Sequence, residues 1–284
     1  MNIQNYYRKL LSLSILCLGT ASGRGDTPYD CTGGLIVSSF AYHEPVMKNI
    51  GVMTGLDLSF SKTVSPIFWD TDLTLETGKV KYTGGVQDFQ NGQTYNFSAG
   101  GNSNMLFEGR VVAGLPMGKT IDGTGSPSWS FLPYGGLGYR YLDNDVPGTS
   151  IQTEPGIPTY VPGYGRKSNY LYSPLGFRVA QRFGGAWSVT AKAEYDLFWL
   201  GRQYSYESPT ITNHQTTGYG VRGSLAFRYK GKEREFTVEP FITYWNIGEA
   251  NPVILGTDDP HLIAVMTEPK NTTTEVGCKF SVSF

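Results

Sequence analysis

Apolar and polar residues alternate along ten segments of this chain, at about 33–43, 49–60, 67–82, 103–116, 129–142, 169–182, 187–200, 216–229, 234–247 and 271–284. A period of two puts successive side chains on opposite faces of a strand, so each segment predicts a strand with one apolar and one polar face. The seventh segment groups Trp187, Val189, Ala191, Ala193, Tyr195, Leu197 and Trp199 against Lys192, Glu194 and Asp196. The tenth groups Val276, Cys278, Phe280, Val282 and Phe284 against Glu275, Lys279, Ser281 and Ser283. Each segment is long enough to cross a bilayer as a tilted strand, which takes about 9–11 residues.

The links between segments alternate in length. Those at 61–66, 183–186 and 230–233 are short and that at 117–128 is modest, whereas 83–102, 143–168, 201–215 and 248–270 are longer. Only the link near Glu44-Pro45 breaks the alternation. An even strand count with alternating short turns and long loops predicts an all-β fold. It is a ten-stranded antiparallel up-and-down transmembrane β-barrel with periplasmic turns and extracellular loops. A water-soluble barrel would reverse the two faces, and alternation alone does not choose between them. The two ends of the sequence favour lipid. Arg8 and Lys9 precede an apolar run from Leu10 to Leu18, and small residues follow from Gly19 to Gly23, which reads as a secretory signal. The expected organisation is a signal peptide at 1–23 and a barrel domain at 24–284, placed in the outer membrane of a bacterium.

Composition narrows the classes further. No apolar run approaches the roughly 20 residues of a membrane-spanning helix. Gly (36), Tyr (19) and Phe (15) are abundant and only 17% of residues are charged, which suits many strands with aromatic girdles. A net charge of −1 argues against a nucleic-acid surface. Cys17 would leave with the signal. Cys31 and Cys278 belong to neighbouring strands of a closed barrel, but at heights too different for a disulfide. Trp69, Trp129, Trp187, Trp199 and Trp245 are expected as anchors at the membrane surfaces.

The polar faces carry the candidate chemistry. The inward charges expected from parity are Glu108, Arg110, Arg140, Arg178, Lys192, Glu194, Arg222, Arg228, Glu239, Glu275 and Lys279, joined by Asp57, Asp70, Asp72, Glu76, Asp196 and Arg182. Ten strands enclose a narrow lumen, and buried charges without partners cost several kcal/mol each. Two readings follow: charge networks that plug the lumen, or a polar path for small solutes lined by the same residues.

The stretches Val238-Glu239-Pro240-Phe241-Ile242-Thr243-Tyr244-Trp245-Asn246-Ile247 and Glu268-Pro269-Lys270-Asn271-Thr272-Thr273-Thr274-Glu275-Val276-Gly277 resemble the last two strands of small outer-membrane β-barrel proteins of the porin-like kind. The resemblance implies fold and membrane placement and brings no catalytic residues. The closing strand ending at Phe284 would meet the barrel-assembly machinery. Lipid is the other expected partner, nucleic acid is not expected, and an extracellular ligand is left open. Omptin proteases, also ten-stranded barrels, use a pair of Asp with an Asp–His pair. Here Asp70-Thr71-Asp72 and Asp259-Pro260-His261 have that spacing, but follow opposite ends of the barrel, about 25 Å apart. His43, His214 and His261 are all expected at the outer rim as solvated loop residues rather than metal ligands. No hydrolase elbow, nucleotide loop or Cys-x-x-Cys is present. The expected role is structural or surface interaction, with no catalytic activity and no cofactor. The alternatives are a narrow channel and, last, an omptin-like protease.

Overall fold

Ten long strands build the wall: β1 (Asp30–His43), β2 (Met47–Val64), β3 (Ile67–Gln87), β4 (Thr94–Gly114), β5 (Pro127–Val146), β6 (Tyr164–Phe183), β7 (Trp187–Tyr206), β8 (Gly218–Lys230), β9 (Glu235–Ile247) and β10 (Asn271–Ser283). The structure is a computed structural model that describes residues 30–87, 94–120, 127–146, 148–154, 157–183, 185–206, 210–256 and 263–284. The expected signal segment, 1–23, lies outside them. Each strand pairs antiparallel with the next. β1 pairs with β10 from Thr32↔Ser283 to His43↔Thr272, so the sheet closes on itself and leaves no edge along this seam. Cys278 stands opposite Val37, about 20 Å along β1 from Cys31, and no disulfide joins them.

The two ends of the barrel differ. Links β2–β3, β6–β7 and β8–β9 are tight and lie at one end, the turn end, together with Phe284, whose N–H donates to the Cys31 carbonyl at 2.8 Å. At the other, loop end, strands run on well beyond the segments that the alternation marks. The β3–β4 ladder continues to Gln87↔Thr94 and the β5–β6 ladder to Val146↔Tyr164. The expected loops 83–102 and 143–168 are therefore largely strand, and 149–154 with 157–161 form a small hairpin of their own. Residues 211–215 add to the top of β7, and 253–256 pair with 263–266. Gly and Asn hide this extension in the sequence. At Gly100–Gly101 the β3–β4 register slips, and Gly101 has φ +80°, a conformation that favours glycine. The wall is thus tall over β3–β7 and low over β8–β2.

Parity sorts the faces. Leu35, Val37, Val52, Val111, Leu137, Phe177, Leu225, Phe227, Ile242, Val276 and Phe280 all point outward and are exposed. Asn49, Glu76, Asn104, Glu108, Arg110, Arg140, Glu194, Asp196 and Gln203 of the same wall point into the barrel and are buried. Two findings correct the sequence expectations, one of parity and one of membrane anchoring. A bulge between Phe198 and Leu200 turns both Trp199 and Leu200 outward and sends Gly201 and Gln203 in. And Trp245 faces the lumen, fully buried, whereas Trp69, Trp129, Trp187 and Trp199 are exposed. The interior is also not polar throughout. Phe40, Met53, Val80, Leu106 and Leu142 form one inward apolar cluster, and Tyr170, Tyr172, Phe198, Trp245 and Ile247 another.

Candidate functional site: a charged plug across the lumen

Two arginines join opposite walls. Arg110 on β4 grips Glu194 on β7 with both guanidinium nitrogens, at 2.6 and 3.1 Å. Arg222 on β8 donates to Glu108 on β4 at 2.6 Å and to Asp196 on β7 at 2.6 Å. Paired N–H donors match the planar carboxylate, which makes these bonds both strong and directional. Tyrosines add a further donor to two of these carboxylates. The Tyr172 hydroxyl donates to Glu108 at 2.6 Å and the Tyr134 hydroxyl to Glu194 at 2.7 Å. Arg110 also lies 3.4 Å from Asp72, and Arg178 on β6 pairs with Asp70 on β3. All these carboxylates are inward because their strands alternate; which arginine each one meets is decided by strand tilt and stagger.

Trp245 caps this layer on the loop side. Its ring receives the Arg222 guanidinium at 5.6 Å and that of Arg140 at 5.8 Å, and packs edge-on to Tyr172 at 5.0 Å. A desolvated guanidinium over an indole face is a favourable cation–π contact. On the turn side, Lys279 donates to Asp57 at 2.6 Å, and Asp57 accepts from Thr74 at 2.8 Å. Ser38 donates to Glu76 at 2.8 Å, and the Glu76 and Glu275 carboxyls are hydrogen-bonded to one another. A cavity of about 50 Å³ remains between these groups, with Lys192, Glu239, Lys279 and Glu275 in its lining. Its size suits a few waters.

Not every charge expected inside takes part. Arg228 pairs with Glu235 at 3.7 Å at the turn end and is half exposed, and Arg182 is exposed there too. Asp70 and Asp72, read as a possible catalytic pair, are held by Arg178 and Arg110. Asp259 and His261 lie outside the described residues. His43 and His214 are exposed at the loop end, and no group of His, Cys, Asp and Glu among the described residues could hold a metal ion. Sequence reasoning does not single out Trp245, Tyr134 and Tyr172 as site residues. Trp245 shares parity with Glu239, a signal that the expected membrane anchoring obscures.

A second cluster closes the low side of the loop end. Arg166 pairs with Glu44, lies 3.7 Å from Glu268 and sits over the Tyr42 ring at 4.6 Å. The Tyr42 hydroxyl is 2.7 Å from Glu44 and 3.3 Å from Glu268. Glu268, in the link before β10, is buried, and burial pushes its carboxyl up to about 7, Arg166 opposing and Glu44 reinforcing the shift. Beneath it lies a layer of amides, with Asn49 donating to Asn144 at 2.9 Å and Ser168 to Gln203 at 2.8 Å.

No family model matches the chain, and no curated protein sequence does. Among solved structures, the outer membrane protease OmpT from Escherichia coli is similar, with a TM-score of 0.65 and 11% identity over 94% of this chain and 99% of that one. A major outer membrane protein from Thermus thermophilus aligns at a TM-score of 0.34 and 11% identity, covering 89% of this chain and 99% of that one. The translocator domain of the autotransporter NalP from Neisseria meningitidis aligns at 0.39 and 8%, covering 98% and 96%. The likeness to OmpT is one of fold: a closed, antiparallel, ten-stranded barrel.

Two outcomes test this geometry. In bilayers containing brominated acyl chains, a variant retaining only Trp187 is quenched, whereas one retaining only Trp245 is not; equal quenching would contradict the inward placement. The second concerns pH. A group whose folded pKa is raised stabilises the fold most when both states are protonated, so the Glu268 contribution is complete below about 4.5 and is lost as pH rises to about 7. Thermal stability of the wild type should fall across that window relative to Glu268→Gln; parallel curves would refute the assignment.

Proposed function

We propose that the chain is an outer-membrane β-barrel with a closed lumen, serving a structural or surface-interaction role through its tall loop-end wall. The membrane placement is supported by the continuous outward belt of large apolar side chains. Soluble proteins rarely expose contiguous apolar patches beyond a few hundred Å². The signal-like composition of the stretch at 1–23 agrees with export. In this orientation the turn end is periplasmic and the loop end is outside.

One observation carries the closed-lumen reading. Arg110–Glu194 and Arg222–Glu108 span the barrel between strands three and four apart, and their side chains are buried. A solute path would have to break charge-assisted bonds that the interior cannot replace with water. We assign no catalytic activity: Asp70 and Asp72 are neutralised by arginine, and the general-base chemistry of a protease needs a carboxylate or imidazole aimed at water.

Planar-bilayer recording tests the reading. The refolded full chain should insert and give no steady conductance at neutral pH. A stable ohmic channel in the wild type would establish the porin-like alternative, and hydrolysis of unstructured peptides by the purified barrel, lost in Asp70→Asn, would establish the protease one.

A further inference from the structure

We infer that the outward face of β2 and β3, at the loop-side margin of the apolar belt, binds the phosphate groups of outer-leaflet lipid through Lys48, Lys79 and Lys81. The inference rests on the outer-membrane placement proposed above. All three lysines point outward and are exposed. In the β2–β3 ladder Lys48 stands opposite Thr83, Ile50 opposite Lys81 and Val52 opposite Lys79. Lys79 and Lys81 are therefore successive outward residues of one strand, and Lys48 is the diagonal neighbour of Lys81. Such positions are about 7–8 Å apart or closer, within the span of one phosphorylated headgroup.

Height along the barrel selects lipid as the occupant. Trp69, exposed on the same face, lies ten residues before Lys79 on β3. At about 3.3 Å per residue and a tilt near 40°, that is roughly 25 Å, the height of the apolar band of such barrels. Leu73 and Leu75 occupy the interval, as do Leu56, Leu58 and Phe60 on β2. The ammonium groups therefore begin where the acyl chains would end.

Charge complementarity points the same way. Every outward position of β1–β3 among the described residues lacks Asp and Glu. Lys79 donates to the Ser103 hydroxyl at 2.7 Å, a neutral partner that leaves its charge uncompensated. On the far wall the outward Lys167 has a carboxylate instead, Asp143 at 3.8 Å. Three uncompensated ammonium groups at a lipid boundary, each with three N–H donors, form a receptor for phosphate oxygens. The interface screens such contacts less than bulk water does.

The test uses the full chain refolded in neutral maltoside micelles, with closure of the barrel verified by its heat-modifiable migration. The probes are a bis-phosphorylated, acylated diglucosamine lipid, its dephosphorylated form and its deacylated, water-soluble headgroup, read by the shift in thermal midpoint. The phosphorylated lipid should bind at least tenfold more tightly than the other two. The Lys48→Gln/Lys79→Gln/Lys81→Gln variant should lose that preference, and Lys62→Gln, at the turn end, should keep it. Equal affinity for the dephosphorylated form, equal affinity for the soluble headgroup, or a triple variant that still discriminates would each overturn the inference. The wild-type comparison needs no variant to fold. A chain that forms a closed barrel but never inserts into lipid would defeat the membrane placement itself, a result distinct from any of these.

Discussion

Charge buried in a narrow barrel must find charge of the opposite sign, and the rest of this structure follows from how it does so. Alternation sends Glu108, Glu194 and Asp196 inward from two walls; Arg110 reaches across to Glu194 and Arg222 to Glu108, and Arg222 also meets Asp196 on the strand beside it. An isolated buried carboxylate would cost several kcal/mol, so each of these residues is tolerable only with its partners present. Arg110–Glu194 and Arg222–Glu108 bridge strands that are not neighbours in the sheet. They therefore hold opposite walls at a set distance as well as filling the space between them.

Around this layer the lumen is stratified. Beside it, Lys192, Glu239, Lys279 and the carboxyls of Glu76 and Glu275 line a small polar cavity. Toward the loop end, Trp245 and its aromatic neighbours shield the guanidinium groups, and amides and the Arg166 cluster follow above. The aromatic layer keeps water away from the ion pairs on one side and so strengthens them. Outside, the same strands present a surface that only an apolar solvent would cover, with a cationic margin on β2 and β3.

Much of the fold is legible in the sequence because parity is a strong signal. The ten strands, their antiparallel order and the inward side of Glu108, Arg110, Glu194 and Arg222 all follow from a period of two. Parity gives the face and not the height, however, and cross-lumen partners are chosen by height. Nothing in the order of residues says that Arg222 meets Glu108 or that Asp70 meets Arg178. The tall loop-end wall is hidden because Gly84, Gly85, Gly100 and Gly101 interrupt the alternation while the backbone ladder continues. Beyond Phe198 a single bulged residue reverses the faces, and no local composition announces it. Trp245 misleads because indole rings suit both a membrane surface and a cation-filled core, and only its inward register separates the two.

The dependence of the barrel on cross-lumen pairing is tested most directly by a double-mutant cycle on Glu108→Gln and Arg222→Gln, with unfolding free energies measured by urea titration of the inserted protein. If the plug is as described, each single change leaves a buried partner uncompensated and the double change relieves part of that loss. The coupling energy should then exceed about 1.5 kcal/mol. Additivity within about 0.5 kcal/mol would mean that the two residues do not interact across the lumen, and the account would fail.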